Sequence, residues 1–198
     1  MFVRDESFKT FIQRYPVVTF LVALQIAVYL LINFAPFGRS LYVWFAGSNY
    51  FIETGEYWRL VTPIITHVSF SHVLFNSFSM VLFAPALEII LGKVRFFAAY
   101  LLSGVLANVA TFWLMPLDYV HIGASGSIFG LFGIYVYILY NRREYLNRSN
   151  RQILLTVLVL SLIMTFMDDR INIAGHLFGL IAGAALGPIL VRSPRARK

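Results

Sequence analysis

The chain has no cysteine in its 198 residues. That excludes a disulfide framework, a thiol nucleophile and a thiolate zinc site. Charge is scarce as well: Asp, Glu, Lys and Arg make up 13% of the residues, against about 25% in soluble domains. So few charges cannot cover a water-facing surface. With 59% hydrophobic residues and a mean hydropathy of +0.75, the composition is that of an integral membrane protein. Acidic residues are the rarer sign, nine against sixteen basic, for a net charge of +7. The basic residues flank apolar runs and form no patch, so nucleic acid is not an expected partner. A cleavable leader is not expected either. The first apolar run begins only near Pro16, is long, and lacks a small-residue cleavage site. There is no internal repeat, no low-complexity tract and no sign of a second domain.

Apolar segments run at roughly 16–37, 64–91, 96–115, 123–140, 152–167 and 171–191. A helical span needs about 20 apolar residues. The fifth segment is short, and the second is long and carries His67, His72 and Asn76. The connection 38–63 holds Tyr42, Trp44, Tyr50, Tyr57 and Trp58, side chains suited to a membrane interface; it is expected to be partly helical and interfacial. Basic residues set the orientation. With the N-terminus inside, thirteen of the sixteen lie on the inner side, leaving Arg39, Arg59 and Arg170 outside. The expected fold is therefore an all-α bundle of six transmembrane helices, with both termini cytoplasmic. It forms one domain over 1–198, with an N-terminal segment 1–15 and a basic tail 192–198, in a cell membrane.

The stretch His121-Ile-Gly-Ala-Ser-Gly-Ser-Ile-Phe-Gly-Leu-Phe-Gly133 opens the fourth span with a serine between small residues. Glu88, Arg142 and Arg192 mark inner helix ends. Counted from them, Asn76 lies roughly 18 Å up, and His72, Ser125 and His176 roughly 24–25 Å, at 1.5 Å per residue. Polar side chains from three helices thus share a layer in the outer part of a core about 30 Å thick. Buried polar groups in a membrane are costly and face the bundle interior. His72 and Asn76, four apart, share a helix face. Gly175, Gly179, Gly183 and Gly187 form one stripe, with Gly126, Gly130 and Gly133 on the fourth helix, as close-packing helices require.

Those residues suit acyl transfer. A serine hydroxyl needs a base to become a nucleophile, and His176 is the candidate. It would return the proton to the leaving amine. The oxyanion needs donors, which His72, Asn76 and the Ser125 N–H could supply. No acid completes a triad, because Asp168 and Asp169 fall about two turns above His176, in an expected outer loop. The arrangement is a dyad without metal or cofactor. Taken singly, each residue has a plainer reading: a serine among glycines as packing, His176 bonded to a carbonyl, His72 and Asn76 as an interhelical network. His121 is a rival base, though a structural role or solvent exposure suits it better, and His67 reads as structural. Glu88 reads as an anchor for the inner end of the second span, and Trp58-Arg59 as a fixture of the long loop. Gly123-Ala-Ser-Gly126 is not the soluble nucleophile elbow, because position 127 is serine where G-x-S-x-G needs glycine.

Together the chain resembles the rhomboid intramembrane serine proteases, of the minimal six-helix bacterial type. The resemblance rests on Trp58-Arg59, on His67-Val-Ser-Phe-Ser-His72-Val-Leu-Phe-Asn76, on Gly123-Ala-Ser125-Gly126, on Ala174-Gly175-His176-Leu-Phe-Gly179 with Gly183, and on Glu88 with Gly92. It covers nearly the whole chain. It implies Ser125 as nucleophile, His176 as base, and His72, Asn76 and the Ser125 N–H as oxyanion hole. It implies membrane-protein substrates cut in or near a transmembrane segment, with small residues favoured at the bond, and a fifth helix acting as substrate gate. Two positions depart from the family: Phe129 stands where some members carry a tyrosine against the catalytic histidine, and Pro63 where some carry a histidine. The alternative within the family is a catalytically idle relative that binds membrane proteins or serves their quality control. A haem or metal protein using the four histidines would need a wide cavity, against the glycine packing. A transporter would show repeated halves. Nothing in the sequence sets an oligomeric state.

Overall fold

A computed structural model describes residues 1–2, 5–168 and 171–192. Arg4, Asp169, Arg170 and most of the basic tail, on which part of the charge and loop reading rests, lie outside the described residues. The described chain is mostly helical. After the short α1 (Phe8–Arg14) come α2 (Pro16–Phe34), α3 (Gly38–Phe45), α4 (Asn49–Glu53), α5 (Phe70–Leu91), α6 (Lys93–Leu114), α7 (Ser125–Asn141), α8 (Arg148–Met167) and α9 (Ile173–Leu190). Five of them, α2, α5, α6, α8 and α9, are long and apolar enough to cross a membrane. The apolar α7 is shorter, at 17 residues.

Two boundaries differ from the sequence reading. The second apolar segment becomes helical only at Phe70, where the Ser69 hydroxyl accepts from His72 N. Residues 62–65 form a 3-10 turn, so His67 precedes the helix and does not lie a turn up it. A Pro at 63 and a serine cap at 69 account for the late start. The fifth segment is not short. Asn147 caps Asn150 N at 2.9 Å, and α8 starts at Arg148, four residues before its apolar run. The reading as all helix also missed a small ladder. β1 (Gly47–Ser48) pairs antiparallel with β2 (Val120–His121), Gly47 opposite His121. It joins the 38–63 connection to the segment that leads into α7.

The α7–α9 seam is the closest in the bundle. A Cβ placed on Gly183 would lie 1.8 Å from the Gly130 carbonyl oxygen, and one on Gly179 would lie 2.2 Å from that of Gly126. Only hydrogen fits there, which is how small-residue stripes bring helix backbones together. Gly187 faces the Tyr137 ring. Gly175 is the exception in its stripe: its Cβ direction points at Asn172, the residue that caps α9.

Buried polar side chains tie the other helices. Gln25 of α2 donates to the Tyr100 hydroxyl of α6 at 3.1 Å, and the Tyr135 hydroxyl of α7 donates to the Phe83 carbonyl of α5 at 2.6 Å. Arg59 is buried and donates to the Val43 and Ala46 carbonyls at the end of α3 and to Glu56. Beside it Trp58 stacks on Trp44. Glu88 does more than anchor its own helix. Its carboxylate accepts from the N–H groups of Val17 (3.1 Å) and Val18 (2.9 Å), capping the start of α2, whose donors have no intrahelical partner. Glu88→Ala leaves those donors buried without an acceptor. It should cost about 2–3 kcal/mol, seen as a lower thermal unfolding midpoint in detergent, whereas Glu53→Ala at the exposed end of α4 should leave the midpoint unchanged.

Candidate active site

Ser125 is the first residue of α7, after Ala124, which offers no side-chain cap. The opening N–H groups of α7 therefore have no intrahelical acceptor, and the positive end of the helix dipole lies at the serine. Gly123 shapes the approach. Its φ of +112° is open to glycine, and its N–H donates to the Pro63 carbonyl at 2.9 Å. A Cβ there would lie 2.5 Å from the His72 ring and 3.7 Å from Asn76 Nδ2. The His72 ring and the Asn76 amide, both on α5, thus stand over the backbone two residues before Ser125.

Asn76 is buried and held by His67, whose Nε2 lies 2.9 Å from Asn76 Nδ2. With Nδ2 donating, one of its two hydrogens goes to His67 and the other is left for the site. The His67 and His72 rings meet edge to face, with centroids 4.8 Å apart. His67, which reads from sequence as a structural residue one to two turns outward of His72, is thus in direct contact with two members of the candidate set. Its position follows from the non-helical stretch before α5, which folds it back toward Asn76.

His176 lies in the first turn of α9. Asn172 caps that turn through Gly175 N at 2.8 Å and reaches Thr111 of α6 through its amide at 2.9 Å. This fixes the start of α9 against the bundle. The His176 ring stacks on Phe129, one turn along α7 from Ser125, with centroids 4.1 Å apart and planes at 18°. The ring contact expected for Phe129 is present. His176 Nδ1 lies 2.8 Å from the Thr165 hydroxyl of α8, a partner the sequence reading missed. The only signal for it was a pair of hydroxyl residues, Ser161 and Thr165, four apart in an apolar run.

The Ser125 hydroxyl, half-buried, makes no hydrogen bond among the described residues, to His176 or any other group. In substrate-free sites such bonds are often long and tighten only when substrate binds. His121 is buried, not solvent-exposed. Its ring lies against Gly47 and near Pro63, stacks on Tyr119, and has no protein partner at either nitrogen among the described residues. Burial pushes its pKa down to about 4, so it is neutral at physiological pH. The β1–β2 ladder directs this ring toward the 38–63 connection. Among the described residues no three His, Asp or Glu side chains gather as a metal site.

Comparison with known proteins gives the family. The Rhomboid domain profile matches residues 54–193. The chain is 44% identical to "Putative rhomboid protease YdcA" of Bacillus subtilis (strain 168) over 200 residues, covering the whole of both chains. It is 33% identical to "Rhomboid protease GluP" of the same organism, over 87% of this chain and 35% of that one. It is 31% identical to "Rhomboid-like protease 1" of Toxoplasma gondii, over 71% of this chain and 50% of the other. With several helices long and apolar enough to cross a bilayer, the chain is a multi-pass integral membrane protein and belongs to the rhomboid family.

Proposed function

We propose that this chain is a serine endopeptidase that hydrolyses a peptide bond in or near the transmembrane segment of other membrane proteins. The observation that carries the proposal is convergence. The His72 ring and Asn76 amide stand over Gly123 at the start of the helix that Ser125 opens, while His176 is held one turn along that helix by Phe129. Family membership points the same way.

Ser125 Oγ attacks the scissile carbonyl as its proton passes to His176. The resulting oxyanion is met by the Asn76 amide, the His72 ring N–H and the Ser125 N–H, dipoles already in place before charge develops. The intermediate collapses as His176 hands the proton to the leaving amine. Water, activated by the same histidine, then releases the acyl group from Ser125.

The six-span topology belongs to the same proposal, with α7 added to the five longer helices as the fourth span in chain order and both termini on the cytoplasmic side. A helix of 17 residues rises roughly 25 Å and falls short of a core about 30 Å thick. Its serine end would therefore stop inside the outer leaflet, and the 38–63 connection would lie in the interface above it.

Liposomes carrying a single-span substrate test the function. Wild type should cleave with or without chelator and should be labelled at Ser125 by a fluorophosphonate. His121→Phe should cleave within about threefold of wild type, against the factor of about 10² or more that loss of a general base costs. Ser125→Ala should neither cleave nor be labelled. Cleavage that survives Ser125→Ala would overturn the mechanism, and inhibition by chelator would replace it with metal chemistry.

A further inference from the structure

We propose that Thr165 completes the catalytic set as a positioning residue, holding His176 in the one tautomer that can act as a base. The proposal rests on the serine–histidine reading above. The Thr165 hydroxyl has two neighbours at bonding distance. Its oxygen lies 2.8 Å from the Ser161 carbonyl, one turn back on α8, and 2.8 Å from His176 Nδ1. A hydroxyl has one hydrogen to donate. The carbonyl can only accept, so the two contacts can both be hydrogen bonds in one arrangement: Thr165 donates to Ser161 O, and His176 donates from Nδ1–H to Thr165. The reverse assignment, with Thr165 donating to Nδ1, leaves the Ser161 contact as two lone pairs facing each other in a buried site.

The tautomer follows. A neutral imidazole protonated at Nδ1 has its lone pair on Nε2. Nδ1 is occupied by Thr165, so Nε2 is the nitrogen left to accept a proton from serine. In the serine protease triad a buried carboxylate does this job, holding the ring in the correct tautomer and stabilising the imidazolium. Thr165 supplies the first function and lacks the second, because its hydroxyl carries no charge. A hydroxyl is the cheaper group in a membrane, where an isolated carboxylate would be costly.

The placement is specific. Thr165 is fully buried, while most of α8 is not: its buried residues are Asn150, Leu154, Leu158 and Thr165. The Thr165–His176 bond is a polar link from α8 to α9. The orientation of the base therefore depends on where α8 lies, and a displacement of that helix that breaks the bond frees the ring to change tautomer.

Full-length protein labelled with 15N-histidine, in detergent at pH 8, separates the outcomes. The His176 signals are assigned by their loss in His176→Ala. Wild type should show a protonated Nδ1 and an unprotonated Nε2. In Thr165→Val, which keeps the shape and removes the hydroxyl, the signals should shift toward the other tautomer. Fluorophosphonate labelling of Ser125 should slow by about tenfold or more, as part of the general-base contribution is lost. Thr165→Ser should restore the wild-type tautomer and bring the labelling rate back to within about threefold of wild type, a rescue that packing alone would not produce. The proposal is overturned if Thr165→Val keeps the wild-type tautomer and rate, or if Thr165→Ser is as slow as Thr165→Val. A wild type that shows the Thr165-dependent tautomer and yet leaves Ser125 unlabelled overturns the serine–histidine reading, and not the bond.

Discussion

His176→Ala should lower the turnover of a membrane-protein substrate by about 10²–10⁴-fold, the range that a positioned general base contributes. KM should change little, because the imidazole acts on a proton in flight and not on the bound ground state. Some activity above the uncatalysed rate should persist, because the proposed oxyanion donors on α5 and at the start of α7 are untouched by the substitution. The fold should tolerate the change. The ring is held by a stack on Phe129 and one hydrogen bond to Thr165, and the helix seam beside it is made by glycine backbone. Unfolding midpoints within a few degrees of wild type, together with a fall in turnover of at least about 10², are the expected pair. Turnover within tenfold of wild type would remove His176 from the mechanism.

Gly183→Val should have the largest effect on the fold. The first carbon of any side chain at 183 would come within 1.8 Å of the Gly130 carbonyl oxygen and 2.6 Å of its carbon. Those atoms are backbone in the middle of α7, so no rotamer change can relieve the clash. The helices must part, and the packing along the seam goes with them. Overpacking costs about 1–3 kcal/mol where side chains can shift. Here the cost should exceed about 3 kcal/mol, a large fraction of a stability of about 5–15 kcal/mol. The expected result in detergent is a sharp loss of folded protein and of Ser125 labelling together. Gly183→Ala should sit between it and wild type. A Gly183→Val protein that unfolds at the wild-type temperature would mean that α7 and α9 are not packed as described.

These two predictions draw on different parts of the sequence. The seam was legible, because glycines four apart mark a helix face whatever the helix later meets. The match between Gly126 and Gly130 on one side and Gly179 and Gly183 on the other needed the structure only for its register. The site was partly legible. Ser125, His72 and His176 stand out by their polarity in apolar runs and by a shared depth, and Asn76 by the helix face it shares with His72, all of which follow from counting residues along straight helices. His67 was misplaced because that counting assumed helix where a 3-10 turn and an extended stretch intervene. The burial of His121 is not legible in the sequence, because the residue lies outside a span and a two-residue ladder is too short to leave a periodic signal.

What the sequence determined by itself is what depends on near neighbours in the chain: the apolar runs, the glycine stripes, and the motifs that place the chain in its family. The tertiary structure decided the pairings that join distant segments. Glu88 caps a helix that begins more than seventy residues earlier, Asn76 is oriented by a histidine from outside its own helix, and His176 is oriented by a threonine from the preceding one. The Glu88 and His176 pairings depend on the rotation and height of one helix against another, and the Asn76 pairing on how the non-helical stretch before α5 folds back. A rotation of one residue, about 100°, would point Thr165 away from His176 while leaving hydropathy and spacing unchanged. Inside a membrane such polar contacts are few, and the packing that sets the rotation also decides which of them form.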